Sequence, residues 1–474
     1  MYYRAKGKAV CADVIPYYEN GTFYLFYLRD YRDVETHGEG CPWCLLTTRD
    51  LVHYEDHGEV LVRGTKEEQD LYVFTGSCTK YKDEYYIFYT GHNPYKRKAG
   101  FPEEKILLAK SPDLYHWEKV EDFCLEAPAY LEMHDYRDPF VFYDEEKQIY
   151  GMLLAGRLKE EGQINSKGVT LVLHSEDMLH WELQEEPFYA PHAFYTHECP
   201  DLFKMGEWWY LIFSDISDRL VTTYRMAKSP SGPWITPKVD NFDGHAFYAA
   251  KTAFDGKNRY LFGWNCIKNE EKDENPWQWG GTIIPHQLVQ EEDGTLYVKC
   301  PETIKDIYQI PITIEKQYTM GSVKEVAKGF ELGCNYGKSI QLLSQMPDNG
   351  KIEMDFTTTD EIGEFGIYLR SDAYCDHYYA VKFEPKFRRM ALDQQPRKDM
   401  TVPFQADVER YCPLQIGENN HLVILFEGSV AEVYVNDRVA MSVRMFDHKA
   451  GAFGLYTQNT SVRFENIQLT TTEE

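Results

Sequence analysis

No apolar run in this chain of 474 residues reaches the roughly 18 residues that a membrane-spanning helix needs. Positive charge is scarce: 50 Lys and Arg face 76 Asp and Glu, for a formal net charge of −26. That balance argues against nucleic acid and anionic membrane as partners, and it leaves a neutral substrate unaffected. The first residues, MYYRAKGKAVCADVIPYYENG, lack the apolar region of a signal peptide, so we expect a cytoplasmic protein, with secretion open if a signal was removed. Cysteine is not rare, but the 11 residues are odd in number and form no framework, as in a reduced protein. The lone C-x-x-C of Cys41 to Cys44 has no second ligand pair at zinc spacing, and the His-Glu-Cys of residues 197–199 has no second histidine at helical spacing. We therefore expect no metal and no cofactor. Long helical periodicity is nearly absent.

What is present is aromatic and alternating. The chain holds 36 Tyr, 26 Phe and 9 Trp, which suits strands and also sugar-stacking surfaces. One unit, a turn followed by an aromatic strand, recurs as ENGTFYLFYLRD, KDEYYIFYTGH, EKQIYGMLLAG, GEWWYLIFSD and GKNRYLFGWN. The steps between Tyr24, Tyr86, Tyr150, Tyr210 and Tyr260 are 62, 64, 60 and 50 residues. A second element shares the register: TTRDLVHYEDHG, SPDLYHWEKV, SEDMLHWELQ and a degraded SPSGPWITP. Fixed-period β units mean a propeller or a solenoid, and five of them predict a five-bladed β-propeller rather than a sandwich with accidental similarity.

The period stops near residue 300. Short alternating strands follow, with turns expected at Glu427-Gly428 and Asn436-Asp437, and read as a β-sandwich. The expected division is a propeller over 1–305, a linker over 306–318 and a sandwich over 319–474, an all-β chain.

In a propeller the first strand of each blade lines the central channel, so acidic groups at those strand starts converge. The candidates are Asp13 in CADVIPYY, Asp138 in YRDPFVFY and Glu198 in THECPDLF. Blade two offers Thr75 and Ser77 there, and blade five offers Asp243 and Tyr248. Each carboxylate alone is compatible with a turn or strand end. Three at equivalent positions of the repeat, in an aromatic funnel, are the equipment for cleaving a glycosidic bond: one acid protonates the leaving oxygen, and one carboxylate attacks the anomeric carbon or activates water. Trp43 and Trp264 suit packing as well as a sugar platform.

These motifs resemble glycoside hydrolase family 32, the fructan-acting enzymes such as invertase, levanase and inulinase, over essentially the whole chain. YRDPFVFY resembles the family's Arg-Asp-Pro motif, HECPDLF its Glu-Cys-Pro motif, VFTGSCTKY its Ser-Gly-Ser stretch, and WCLLTTRDLVHY its Trp-containing strand. FDGHAFYAAKT, YLFGWN and WGGTIIPHQLVQEEDGTLYVKCPETI resemble the fifth blade and the exit from the propeller. The resemblance implies that Asp13 is the nucleophile, Asp138 the transition-state stabiliser and Glu198 the acid/base. It makes Trp43, Ser77, Arg137, Cys199, Asp243 and Trp264 candidate substrate contacts. Arg137 is expected to keep Asp138 ionised and aimed, with Pro139 fixing the backbone at the strand start. The expected partner is an oligosaccharide or polysaccharide, cleaved as a fructofuranoside with retention.

Departures matter. Where the family has Trp-Met-Asn-Asp-Pro-Asn-Gly, this chain has VCADVIPYY, so Ala12 replaces an Asn and Val14 a Pro; Leu28 replaces a Gln and His286 an Arg. Losing polar sugar ligands removes hydrogen bonds of about 0.5–1.5 kcal/mol each. The first motif also leans toward family 43, which cleaves arabinose or xylose with inversion. An inverting arabinofuranosidase or xylosidase and a non-catalytic carbohydrate-binding protein are the alternative readings.

Overall fold

The structure, a computed structural model, describes residues 1–159, 167–333, 335–397 and 407–473. It is a five-bladed β-propeller followed by a β-sandwich. Blade one holds Val10–Glu19, Thr22–Asp30, Trp43–Thr48 and Glu55–Leu61. Blades two and three are four-stranded sheets that begin at Tyr72–Tyr81 and Arg137–Asp144. Blade four has three strands, Glu198–Met205, Trp208–Asp215 and Val221–Ala227. Blade five runs through Phe247–Phe254, Arg259–Lys268 and Trp277–Gln290, and the N-terminal Tyr3–Arg4 adds to its outer side by pairing with Ile283 and Thr282. A pair between Gly281 and Cys11 stitches blade five to blade one.

The second repeated element is a turn that closes a blade. In blades one to three a hydroxyl (Thr48, Ser111, Ser175) accepts the backbone N–H of a buried Leu51, Leu114 or Met178. These apolar residues take φ of 65°, 71° and 65°, a left-handed conformation costly for a bulky side chain. The neighbouring Asp50, Asp113 and Asp177 each accept two backbone N–H groups and hold a histidine ring at 2.7 Å, which satisfies the turn's donors. In blades two and three Trp117 and Trp181 donate to the carbonyls of Leu114 and Met178. That is why the repeat reads Ser-x-Asp-Leu/Met-x-His-Trp.

The sandwich packs an eight-stranded sheet on a seven-stranded one. Its buried centre includes Phe356, Phe365, Phe383, Leu422 and Phe453. Gly428 has φ 55°, and Asn436 and Asp437 have φ 55° and 52°, so both expected turns bend through left-handed residues. Within the stretch expected as linker, Ile310–Pro311 pairs with Thr471 and Thr470 of the last strand. Sandwich residues Leu425, Val430 and Tyr434 share a core cluster with Phe247, Ile283 and Leu288 of the propeller. Among the described residues no helix is long and apolar enough to cross a membrane.

Candidate active site

All five innermost strands break register at the same place. The irregularity falls between Ala12 and Val14, Phe74 and Gly76, Arg137 and Phe140, Glu198 and Asp201, and Tyr248 and Lys251. A bulge bends a strand and re-aims a side chain. At four of the five a non-glycine residue takes positive φ: Asp13 (31°), Asp138 (60°), Cys199 (52°) and Ala249 (52°). Strain of this kind persists only where the surroundings over-determine it. The result is a pocket of about 260 Å³ on the funnel, lined by Asp13, Asp138 and Glu198 together with Arg137, Cys199 and Tyr248. Thr75, Glu104 and Ala249 complete its polar and backbone wall, and Phe74, Ile216 and Trp279 its apolar one.

Asp13 accepts hydrogen bonds from Thr75 Oγ1 at 2.5 Å and from Trp264 Nε1 at 3.1 Å. Burial raises its pKa, and these two donors oppose the rise. Asp138 is 4 % exposed and accepts the Cys199 N–H at 2.8 Å. Burial pushes its pKa up to about 7 against the pull of Arg137 and the Cys199 amide. Glu198 accepts from Arg137 Nη2 at 3.0 Å and from the Tyr248 hydroxyl at 2.6 Å. Arg137 also donates Nη1 to Asp135 at 2.7 Å and to Glu104 at 3.3 Å. Lys251 is buried behind the carboxylates and donates to the Gly76 carbonyl at 2.8 Å; burial lowers its pKa, and the charges of Asp201, Asp138 and Asp13 hold it up.

The expected residues divide in this geometry. Asp13, Asp138, Glu198, Arg137 and Cys199 meet in the pocket. Arg137, however, hydrogen-bonds Glu198 rather than Asp138, because its guanidinium is taken by Glu104, Asp135 and Glu198. Trp264 lies beneath Asp13, 2 % exposed, and touches it only through its indole N–H. Three expected substrate contacts stand elsewhere. Trp43 is fully buried against Phe26 and Tyr89 and donates to the Phe74 carbonyl. The Ser77 hydroxyl accepts the Val141 N–H and ties blade two to blade three. Asp243 is fully buried at the contact with the sandwich, where His286 Nε2 lies 3.0 Å and Ser442 Oγ 2.8 Å from its Oδ2. Asp243, His286 and Glu432 approach within 4.8 Å, close enough to share an ion, and in this structure His286 bonds Asp243 directly while Ser442 bridges Asp243 and Glu432. Glu104, Ile216 and Trp279 line the pocket without having been anticipated. Glu104 enters from the third strand of blade two, and Ile216 and Trp279 stand out as large apolar residues 48 % and 39 % exposed.

The departures from the family pattern fall in apolar surroundings. Ala12 and Leu28 are cross-strand partners, both fully buried, in a cluster with Trp43 and Tyr248. His286 donates or accepts on both ring nitrogens, toward Asp243 and the Tyr434 hydroxyl, and so serves the domain contact.

Comparison with known proteins follows the same division. The model described as "Glycosyl hydrolases family 32 N-terminal domain" matches residues 15–301, and "Glycosyl hydrolases family 32 C terminal" matches 328–471. The levanbiose-producing levanase of Bacillus subtilis (strain 168) is 24 % identical, over 95 % of this chain and 86 % of its own. The sucrose-6-phosphate hydrolase of Escherichia coli is 26 % identical, over 90 % and 84 %. Among solved structures, fructan 1-exohydrolase IIa from Cichorium intybus superposes with a TM-score of 0.76 at 15 % identity, covering 100 % of this chain and 97 % of the other. Exo-inulinase from Aspergillus awamori gives 0.75 at 17 % identity, covering 99 % and 96 %.

Proposed function

The chain belongs to glycoside hydrolase family 32, and from that premise we propose that it is a glycosidase hydrolysing fructofuranosides of the sucrose or fructan type with retention of configuration. The observation that carries the reading is the convergence of Asp13, Asp138 and Glu198, from three different blades, in one pocket. Its 260 Å³ lies below the roughly 300–1,000 Å³ of drug-sized sites and suits one sugar unit at a chain end.

In this reading Glu198 protonates the glycosidic oxygen as the bond to the anomeric carbon breaks, and Asp13 adds to that carbon to form a glycosyl-enzyme ester. Glu198, now a carboxylate, takes a proton from water, which attacks the ester and frees Asp13. Thr75 and Trp264 aim the Asp13 carboxylate, and Arg137 and Tyr248 aim Glu198. Asp138, anchored by the Cys199 amide, accepts sugar hydroxyls beside them. With Ala12 and Leu28 apolar and buried, sugar recognition falls to polar residues that line the pocket, Glu104 and Arg137 among them.

The test is product release from sucrose, inulin, levan and aryl arabinofuranosides, with NMR of the first-formed anomer. Fructose released with the substrate's configuration is the expected result. Arabinose or an inverted product overturns the reading in favour of family-43-like chemistry, and release from no substrate favours a binding protein.

A further inference from the structure

A second cavity, larger than the catalytic one at about 480 Å³, opens where propeller and sandwich meet. Its propeller side is built by Lys238 and Asn241 after the last strand of blade four and by Tyr297 of the strand Leu296–Lys299; its sandwich side by Arg410, Tyr411 and Gln415. The cavity is cationic in a chain of net charge −26. Arg410 is 5 % exposed, and its Nε and Nη2 donate to the carbonyls of Ala440 and Asn241 at 3.0 and 3.1 Å. No carboxylate among the described residues forms an ion pair with it, and its Nη1 has no partner there. A buried charge without a counter-ion is costly. Asp243 and Asp240 lend it distant support only, since His286 and Ser442 occupy the first, and Arg219 and Arg225 the second. Lys238, exposed, likewise pairs with no carboxylate among the described residues; its Nζ sits 5.8 Å from the centre of the Tyr411 ring. The single lining carboxylate, Asp293, accepts the Thr295 N–H.

We propose that this cavity binds a phosphorylated sugar, with the phosphate on Arg410 and Lys238 and the sugar against Tyr297, Tyr411 and Gln415. An arginine with an unused donor is suited to a phosphate oxygen. Tyrosine rings and an amide side chain beyond it offer the mixed apolar and polar wall that a sugar requires. Because Lys238 and Arg410 belong to different domains, an occupant clamps propeller to sandwich and stabilises the docked chain by an amount that grows with the logarithm of its concentration above Kd.

The test is calorimetric titration and thermal unfolding of the whole protein with fructose 6-phosphate, inorganic phosphate and fructose as probes. Fructose 6-phosphate is expected to bind one to one, raise Tm and weaken with added KCl. Lys238→Gln, at an exposed position, is expected to weaken it at least fivefold with sucrose hydrolysis unchanged. Arg410→Gln is expected to abolish it, with an unfolding transition in the absence of ligand confirming the fold. Asp13→Asn, in the catalytic pocket, is expected to leave affinity intact, so the result does not depend on the catalytic reading. No binding at 10-fold excess over about 1 mM, equal affinity in Lys238→Gln, loss of affinity in Asp13→Asn, or equal binding of fructose each overturns the proposal. Inorganic phosphate as tight as fructose 6-phosphate overturns the sugar half of it.

Discussion

At the scale of single residues, the three carboxylates were legible because a propeller's repeat gives every blade a strand start, and only three of those starts carry an acid beside an apolar strand. Glu198→Gln is expected to cut sucrose turnover by about 10²–10⁴-fold, the usual worth of a positioned acid, and by much less on an aryl fructoside whose leaving group needs no proton. Steady-state kinetics on both substrates check this, and equal losses contradict the acid role. Since burial raises the Asp13 pKa, kcat/KM should rise with pH through an apparent pKa above the ordinary carboxylate value of about 3.9. Asp138 has a stability consequence as well. Below its ordinary pKa of 3.8 it is protonated folded and unfolded; as pH climbs toward about 7 the unfolded chain ionises first, so stability falls across that window and levels off above it. Asp138→Asn removes that drain and should gain on the order of 4 kcal/mol at pH 8 while gaining little at pH 3, as read by urea unfolding at both pH values. Glu104, Ile216 and Trp279 were not legible. Nothing in their local sequence marks them, and their place in the pocket depends on how blades two, four and five face one another.

Among elements, the bulge in each inner strand and the closing turn in each outer one explain different parts of the repeat. The aromatic strand was readable from alternation. The bulge was not, because Asp13, Asp138, Cys199 and Ala249 are ordinary residue types driven to positive φ by tertiary contacts. The closing turn was visible as a recurring string, and its hydrogen bonds now supply the cause. In Asp113 burial pushes the carboxyl up, and the His116 ring with the backbone N–H groups of His116 and Tyr115 together outweigh it and hold the carboxyl down at about 2. A depressed carboxylate stabilises the fold above its unfolded pKa, and that support is lost as pH falls from about 4 through 2. Asp113→Ala should therefore cost about 1 kcal/mol at neutral pH, the typical worth of such a cap, and clearly less near pH 2, where half of the folded carboxyl is protonated. Denaturant melts of the variant at the two pH values measure the difference. A cost that does not change with pH shows that the carboxylate's charge is not what the turn uses.

The whole molecule depends on how its two halves are fastened, and here the sequence was least informative. His286 was visible only as a departure from a family pattern, and Asp243 looked like a funnel residue because it stands just upstream of the fifth blade's first strand. Both instead face the sandwich. Ser442 Oγ lies 2.8 Å from Asp243 Oδ2 and 2.7 Å from Glu432 Oε2, and one hydroxyl proton cannot serve both oxygens. The account closes if Glu432 carries a proton and donates to Ser442, which donates to an ionised Asp243. The electrostatics agree: burial and the nearby Asp243 charge raise Glu432 well above its ordinary pKa, while His286, Arg410 and the Ser442 N–H hold Asp243 down despite its burial. The two acids are therefore unequal, although both are fully buried. Glu432→Gln keeps a neutral side chain with a donor toward Ser442 and should change stability by less than about 1 kcal/mol. Asp243→Asn removes the anion to which His286 and Ser442 are bonded and puts a donor where both also donate, so it should cost about 3–5 kcal/mol. The parent protein is expected to unfold in one calorimetric transition and the variant in two, as the domains unfasten. Scanning calorimetry of the two variants side by side decides, and equal destabilisation by both places the proton elsewhere in the cluster.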